Sequence, residues 1–222
     1  MPNKGVSKVT QIDKPMANIL EDEGRDNYYN FVGPIWDLVV NKYDSLKYSD
    51  TIYHNLIEKF SSNDISEDDI NDAIRWKYGK VGQERIPDSH QKIIESFCPL
   101  IEELESLRAL KVEDAFEKLD SYHQASLVTK VFFTHLVFPN NVPIIDVHNH
   151  RAARYFIKEY SHSEELKRQF KNKNLASSSK LILSQSFALK KLIDETMELF
   201  GKPYKEVDMF FMMFGKLLAP RD

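Results

Sequence analysis

The residues best suited to chemistry lie together in one stretch, VPIIDVHNHRAARYF at residues 142–156. Within it, an aspartate, two histidines, an asparagine and two arginines follow a short β-branched apolar run. Asp146, His148 and His150 occupy alternate positions. On a strand, the two imidazoles would lie on one side and could bind one metal ion, whereas on a helix they would diverge and Asp146 would cap the first turn.

The metal-site interpretation depends on a strand. An apolar strand ending in Asp-x-His-x-His resembles the first strand of amidohydrolase-type barrels, which would make His148 and His150 ligands in a metal-dependent hydrolase. Such barrels need about 250 residues and take further ligands from later strands. Here the chain has 222 residues, and the segment after His150 has a helical pattern. A metal-dependent hydrolase therefore ranks below the functions that a helix at this position would support.

Periodicity favours a helix that begins at Asp146. The residues that follow recur at spacings of three and four and form a stripe of Asn149, Ala152, Ala153, Phe156 and Tyr160. Asp146 would be the N-cap, with its carboxylate facing the first-turn amides and the positive end of the helix dipole. We expect His148 and Arg151 on one exposed flank of this helix and His150 on another. A plain cap with solvated basic neighbours would also satisfy the pattern.

Composition limits the class of protein. A chain of 222 residues with 42% apolar residues is expected to bury a substantial core. The net charge of −4 gives no global basic field that would indicate a nucleic-acid partner. Cys98 is the single cysteine, which excludes an intrachain disulfide and a four-cysteine metal site. No segment has the pattern of a signal sequence or a membrane span, so we expect a soluble, cytoplasmic protein without a membrane partner.

The elements around the stretch are predicted to be helices, because apolar residues recur at helical spacing from about residue 27 onward and glycine is scarce. Residues 1–26 are predicted to form a partly irregular arm. The predicted helices span residues 28–43, with Pro34 near a start or kink, and residues 50–60, 66–78, 89–107, 112–119, 124–137 and 181–200, with a last helix after Pro203. Ser66 followed by Asp69 predicts a capped helix start, and Gly201 predicts a helix end.

Three segments of the chain resemble the helix-hairpin-helix DNA glycosylase superfamily, and within it a branch of small, poorly characterised glycosylase-like proteins. The first, KVFFTHLVFPNNVPIID at residues 130–146, is similar to the family's buried helix, turn and Pro-Ile-x-Asp motif. The second and third are AIRWKYG at residues 73–79 and VDMFFMMFGK at residues 207–216. The resemblance implies a mainly α, two-lobed helical bundle. Residues 27–222 would form one domain of two packed lobes, with the hairpin module and the active helix at 112–160.

The resemblance also implies a function and a set of site residues. The activity would be excision of a damaged or modified base from DNA, without a cofactor or a metal ion. Asp146 corresponds to the catalytic aspartate, which stabilises the oxocarbenium-like transition state. Such enzymes take the base out of the duplex, and Trp76 and Tyr78 would line the base pocket. The residues expected to contact DNA are His123, Gln124, Ser126, His148, Asn149 and Arg151.

Two features depart from the family pattern. The hairpin segment SYHQAS at residues 121–126 has no glycine to expose backbone amides to a phosphate. The lysine of members with lyase activity corresponds to Val128, and Lys130, two residues away, is the remaining candidate for a catalytic amine. A monofunctional mechanism is therefore favoured. A non-catalytic module of the same fold, which binds nucleic acid or a protein partner, is the alternative.

Overall fold

The computed structural model describes residues 18–43, 48–122 and 125–219. These residues are mainly helical and contain no strand, as the sequence predicts. The first six helices are α1 (Asp22–Val32), α2 (Trp36–Val40), α3 (Asp50–Ser62), α4 (Glu67–Lys77), α5 (Asp88–Phe97) and α6 (Leu100–Arg108). The next six are α7 (Val112–Asp120), α8 (Leu127–Val137), α9 (Val147–Tyr160), α10 (Glu164–Gln169), α11 (Ser179–Phe200) and α12 (Tyr204–Leu217). None of the described helices has the length and apolar character needed to cross a membrane.

Local capping signals set several helix ends. The Ser66 hydroxyl accepts a hydrogen bond from the Asp69 amide, and the Asp69 carboxylate accepts one from the Ser66 amide at 2.8 Å. This pair is the predicted capping box at the start of α4. Gly201 ends α11 with a φ of 62°, a left-handed conformation that glycine adopts without the steric cost of a Cβ. Both sequence predictions are confirmed.

The buried apolar residues form two clusters, which we call core A and core B. Core A is built mainly by α1, α2 and α9 to α12, and core B mainly by α3 to α8. The extended run before α9 alternates between them, because Val142 and Ile145 belong to core A while Ile144 belongs to core B. Asp146 therefore begins α9 at the boundary between the two cores.

Two predicted helices are divided in the structure. The predicted helix at residues 28–43 is instead α1 and α2, joined by a 3₁₀ turn over Gly33–Ile35 that contains Pro34. The predicted helix at residues 89–107 is instead α5 and α6, which meet at Cys98 and Pro99. Proline has no amide hydrogen to donate and its ring clashes with the preceding turn, so each proline marks an interruption.

The arm predicted at residues 1–26 is described from residue 18 onward. Helix α1 begins at Asp22, and Ile19 and Leu20 are buried in core A. Their amides donate hydrogen bonds to the two carboxylate oxygens of Glu195 on α11, each at 2.8 Å. This segment therefore belongs to the packed structure because its apolar side chains and its amides are both satisfied there.

Helix α12 lies against the first turn of α9. A Cβ placed on Gly215 would come within 1.8 Å of the His148 carbonyl oxygen, so the two backbones approach as closely as they do because this residue is glycine. The contact holds α12 beside the start of α9, where Asp146 is located.

Candidate active site at the start of helix α9

Asp146 is the N-cap of α9. Its backbone is extended, and its Oδ1 accepts hydrogen bonds from the amides of His148 at 2.7 Å and Asn149 at 2.9 Å. The carboxylate thus meets amide groups that have no partner within the helix, at the positive end of the helix dipole. The prediction that Asp146 caps a helix is confirmed. Because both bonds use backbone amides, the position of this carboxylate is fixed by the main chain.

Asn149 completes the cap from the inside of the protein. Its Oδ1 accepts a hydrogen bond from the Asp146 amide at 2.6 Å, and its Nδ2 donates one to the Ile144 carbonyl at 2.5 Å. The side chain is 2% exposed. The expectation that Asn149 contacts DNA is therefore wrong, since the residue is buried and both ends of its amide are used to hold the turn before α9.

Asp208 on α12 is an ionisable group in this region that the sequence did not single out. Its Oδ1 is shielded from solvent and has no hydrogen-bond partner among the described residues. Burial and, to a smaller extent, the negative charge of Asp146 raise the pKa of Asp208, while Lys77 and a hydrogen bond from Asn149 lower it, and the net result is a pKa of about 7. Below about pH 7 this side chain is therefore a neutral acid that can donate a proton.

Lys77, at the end of α4, is the positive group in this region. Its Nζ lies 3.5 Å from the Ile145 carbonyl oxygen and 5.5 Å from the centre of the Phe132 ring. Burial lowers the pKa of Lys77, and the charges of Asp146 and Asp208 oppose this shift. Two acids and one amine from three different helices therefore lie within electrostatic reach of one another at the boundary of the cores.

A chain of hydrogen bonds fixes the extended run that leads to Asp146. His135 on α8 is fully buried, with Nδ1 2.6 Å from the Val142 carbonyl oxygen and Nε2 2.7 Å from the Tyr53 hydroxyl. A carbonyl only accepts, so Nδ1 carries the proton and Nε2 accepts from Tyr53. Burial lowers the pKa of His135 to about 4, and the imidazole is neutral at physiological pH. His135 is therefore a hydrogen-bonded histidine of the core.

Trp76 and Tyr78, the residues predicted to line a base pocket, have partners within the protein. Trp76 is 9% exposed, stacks on Tyr53 and Phe132, and donates from Nε1 to the Ser49 carbonyl at 2.9 Å. The hydroxyl of Tyr78 lies 2.8 Å from Thr129 Oγ1, and its ring stacks on His90. Trp76 is thus a core residue of α4 and offers no free face to a base. The half-buried Tyr78 stays a candidate.

Lys130 also has its partners within the protein. Its ammonium group donates to Asp120 Oδ1 at 2.7 Å and to the Asp120 carbonyl at 2.6 Å, and the residue is 6% exposed. Asp120 in turn accepts a hydrogen bond from Ser179 on α11. A lysine that is buried and paired in this way lacks both the access and the free lone pair that a catalytic amine needs, so the catalytic role predicted for Lys130 is wrong.

The remaining residues predicted to contact DNA are dispersed. Ser126 is exposed and caps α8 by accepting a hydrogen bond from the Thr129 amide. Arg151 donates to His148 Nδ1 at 3.3 Å, and both residues are half-buried on α9. His123 and Gln124 lie outside the described residues.

The helix separates the two histidines of the proposed metal motif. His150 is fully buried and stacks on Phe170, which corrects the expectation that it lies on an exposed flank. His148 is half-buried near Arg151. Over residues 18–43, 48–122 and 125–219, no group of three or more histidine, cysteine or acidic side chains is placed to bind a metal ion. The local helix thus directs the two imidazoles to different surroundings.

Searches for similar proteins do not assign the chain to a family. No protein-family model, curated protein or solved structure matches it.

The sequence contained only a weak signal for Lys77 and Asp208. Asp208 is the one charged residue in VDMFFMMF, and Lys77 lies between Trp76 and Tyr78 in IRWKYG. A buried charge is expensive unless it is paired or functional, so a charged residue among large apolar ones is a weak indication of a site. Lys77 and Asp208 come close to each other only because α4 and α12 both pack near the start of α9.

Proposed function

We propose that this protein cleaves the N-glycosidic bond of a damaged or modified base in DNA, with Asp146 as the catalytic carboxylate. The observation that carries the proposal is the arrangement at the start of α9. There, an aspartate fixed by backbone amides lies within electrostatic reach of Asp208, a shielded carboxylic acid with a pKa of about 7. Two acids in such different surroundings suit separate roles as charge stabiliser and proton donor.

The fold lends support to the same class. Helices α7 and α8 are joined by a short segment at residues 121–126, and an extended turn leads from α8 to α9. This order of helix, short connection, helix and capped active helix is what the resemblance to helix-hairpin-helix glycosylases implies. Cores A and B would correspond to the two lobes of that fold, with the site between them.

Base release requires bond cleavage and addition of water at one sugar carbon, together with protonation of the departing base. The bond from C1′ to the base nitrogen breaks, and its electron pair leaves with the base. Asp208, in its protonated form, supplies the proton that neutralises the departing base. The carboxylate of Asp146 stabilises the positive charge that develops at C1′, and it then takes the proton of the water molecule that adds there. Lys77 balances the charge of Asp146 before the substrate binds.

The test compares Asp146→Asn with wild type on duplexes that carry a panel of damaged bases, with strand cleavage after alkali as the readout. Asparagine caps a helix about as well as aspartate, so this change removes the charge and keeps the fold. We expect excision to fall by about 10²-fold or more. Asp114→Asn, at an exposed site in the first turn of α7, is the matched control and should keep full activity.

Persistence of excision in Asp146→Asn, with unchanged thermal unfolding, would contradict the proposal. The second candidate is a non-catalytic nucleic-acid-binding module, which is favoured by the absence of glycine from the hairpin segment at residues 121–126 and by the net charge of −4. Salt-dependent binding of DNA without base release from any member of the panel would support this candidate instead.

A further inference from the structure

A basic pocket lies on the surface of α9, beyond its first turn. The cavity has a volume of about 410 Å³, and its charged lining consists of Arg151, Arg154, Lys158, Lys173 and Glu159. Tyr155, Asn174 and Leu218 form the uncharged part of its wall. Volumes of roughly 300–1,000 Å³ are typical of small-ligand sites. Four cations against one carboxylate make this a site for an anion.

A second, smaller cavity of about 200 Å³ continues the same surface. It shares Arg154 and Lys158 with the first and adds Lys167 and Lys171. Two acids near this surface contact its lysines, Glu159 with Lys158 and Glu164 with Lys167, each at 3.1 Å. In a chain with a net charge of −4, six basic residues around two adjoining cavities are a local concentration of positive charge.

Arg154 is the centre of this surface, since it lines both cavities. Its Nε is shielded from solvent and has no hydrogen-bond partner among the described residues. A shielded guanidinium N–H without an acceptor costs free energy, and an anion in the pocket would supply the acceptor. Beneath it, His150 is buried and its two ring nitrogens are likewise without partners in the described part of the chain. Burial, together with the positive charges of Arg154 and Arg151, lowers the pKa of His150 to about 4.

We propose that this pocket binds phosphate groups, and that their carrier is the backbone of a nucleic-acid strand whose target nucleotide lies at Asp146. Planar guanidinium groups and several lysines are the usual partners of phosphate oxygens. Arg154 follows Asp146 by eight residues on the same helix, which is about 12 Å along the axis. That distance corresponds to roughly three to four nucleotides of a B-form strand. The choice of phosphate comes from the pocket alone, whereas the choice of nucleic acid as its carrier rests on the proposed function.

The test measures binding of a fluorescein-labelled 12-nucleotide strand and its duplex by anisotropy at several salt concentrations. It also measures binding of inorganic phosphate and AMP from the NMR shifts of His150. Arg154→Gln should weaken binding of the strand about tenfold and reduce the slope of log K against log salt by roughly one. The double variant Lys171→Gln/Lys173→Gln should also weaken binding. Because both lysines are exposed, this variant still tests the pocket if Arg154→Gln disturbs folding. Lys92→Gln, an exposed change on α5, is the control and should bind as wild type.

The outcomes separate this proposal from the excision activity. Equal binding by wild type and both pocket variants would overturn the pocket, even if base excision were observed. Loss of binding in the variants, with no excision by wild type on any lesion, would support the pocket while the proposed activity failed. Binding of phosphate or AMP that depends on Arg154, without binding of the strand or duplex, would overturn nucleic acid as the carrier. A failure of wild type to bind any of these probes would overturn both parts.

Discussion

Asp146 and Asn149 form a reciprocal pair in which each side chain bonds the other's backbone amide. The pair holds the carboxylate of Asp146 at the helix end, so its position does not depend on side-chain packing. Asn149 also ties the turn to the Ile144 carbonyl from inside the protein. At the scale of single residues, the buried side-chain amide of Asn149 thus holds the site in place, although a substrate cannot reach it.

Asn149→Ala should lower the free energy of unfolding by about 2–4 kcal/mol, because it leaves the Asp146 amide and the Ile144 carbonyl unsatisfied in a buried place. Urea-induced unfolding followed by circular dichroism measures this change. Asn71→Ala on α4, where the side chain accepts a hydrogen bond from Arg75, is the control and should cost less than about 1 kcal/mol. Similar losses in the two variants would contradict the structural role assigned to Asn149.

Asp208 gives the proposed reaction a pH dependence. Its pKa is raised to about 7, and only the protonated form can donate to the departing base, so the rate should decrease as pH rises above about 7. Asp208→Asn cannot donate a proton, and its remaining activity should lack this decrease. The measurement is single-turnover excision from pH 5.5 to 9. An alkaline limb that is unchanged in Asp208→Asn would remove this residue from the proton-transfer role.

At the scale of helices, the contact between α9 and α12 determines which residues meet. Gly215 lets α12 approach the backbone of His148, and Asp208 lies two turns earlier on α12, near Asn149. On the other side, Lys130, Asp120 and Ser179 connect α8, α7 and α11 through one hydrogen-bonded cluster. The helices around the site are therefore joined by a few polar links as well as by apolar packing.

Gly215→Ala should destabilise the protein by about 1–3 kcal/mol or more, because the added methyl group meets backbone atoms that cannot rotate away. The start of α9 would have to move, so base excision should fall as well. Gly33→Ala is the matched control, since a Cβ at that position meets only Phe200 at an ordinary 3.7 Å. Thermal unfolding of both variants measures the difference. Equal stability of Gly215→Ala and Gly33→Ala would show that the close contact is absent.

At the scale of the whole molecule, cores A and B share α8 and the run before α9. His135 and His150, which are fully buried among the described residues, lie in this shared region or beside it. Both imidazoles are neutral in the folded protein, so acid should destabilise the whole fold as well as the site.

The free energy of unfolding should decrease as pH falls from about 6.5 to about 4. The pKa values of His135 and His150 are about 4 in the folded protein. Between about pH 6.5 and pH 4 these two residues therefore bind protons in the unfolded chain but not in the folded protein, which favours unfolding as pH falls. Each histidine contributes up to roughly 3 kcal/mol. Asp208 acts with the opposite sign, since its pKa is raised from 3.8 and its contribution to stability is lost as pH rises towards about 7.

Urea-induced unfolding at half-unit steps between pH 4 and pH 7 checks this dependence. His150→Phe keeps a ring against Phe170 and removes one titrating group, so its dependence on pH should be shallower than that of wild type. His54→Gln, at an exposed position on α3, serves as the comparison and should follow the wild-type profile. An identical profile for His150→Phe and wild type would exclude His150 as a source of acid sensitivity.

The sequence by itself determined the features that depend on neighbouring residues. The capping box at Ser66, the cap at Asp146 and most of the buried stripe of α9 follow from interactions over one helical turn, which residue order specifies directly. The divisions at Pro34 and Pro99 belong to the same class, since the missing amide hydrogen of proline is a local signal. The sequence predicted a start or kink near Pro34, whereas the apolar periodicity predicted an unbroken helix through Pro99.

Only the tertiary structure decided which of these local features meet. Lys77 and Asp208 are 131 positions apart, and they come into electrostatic reach because α4 and α12 both pack near the start of α9. Likewise, Arg154 and Lys171 share a cavity because the segment after α10 folds back on α9. The burial of Asn149, His150 and Lys130 was decided in the same way. Whether a polar residue faces water or a partner depends on contacts that are distant in the chain, and no local periodicity encodes them.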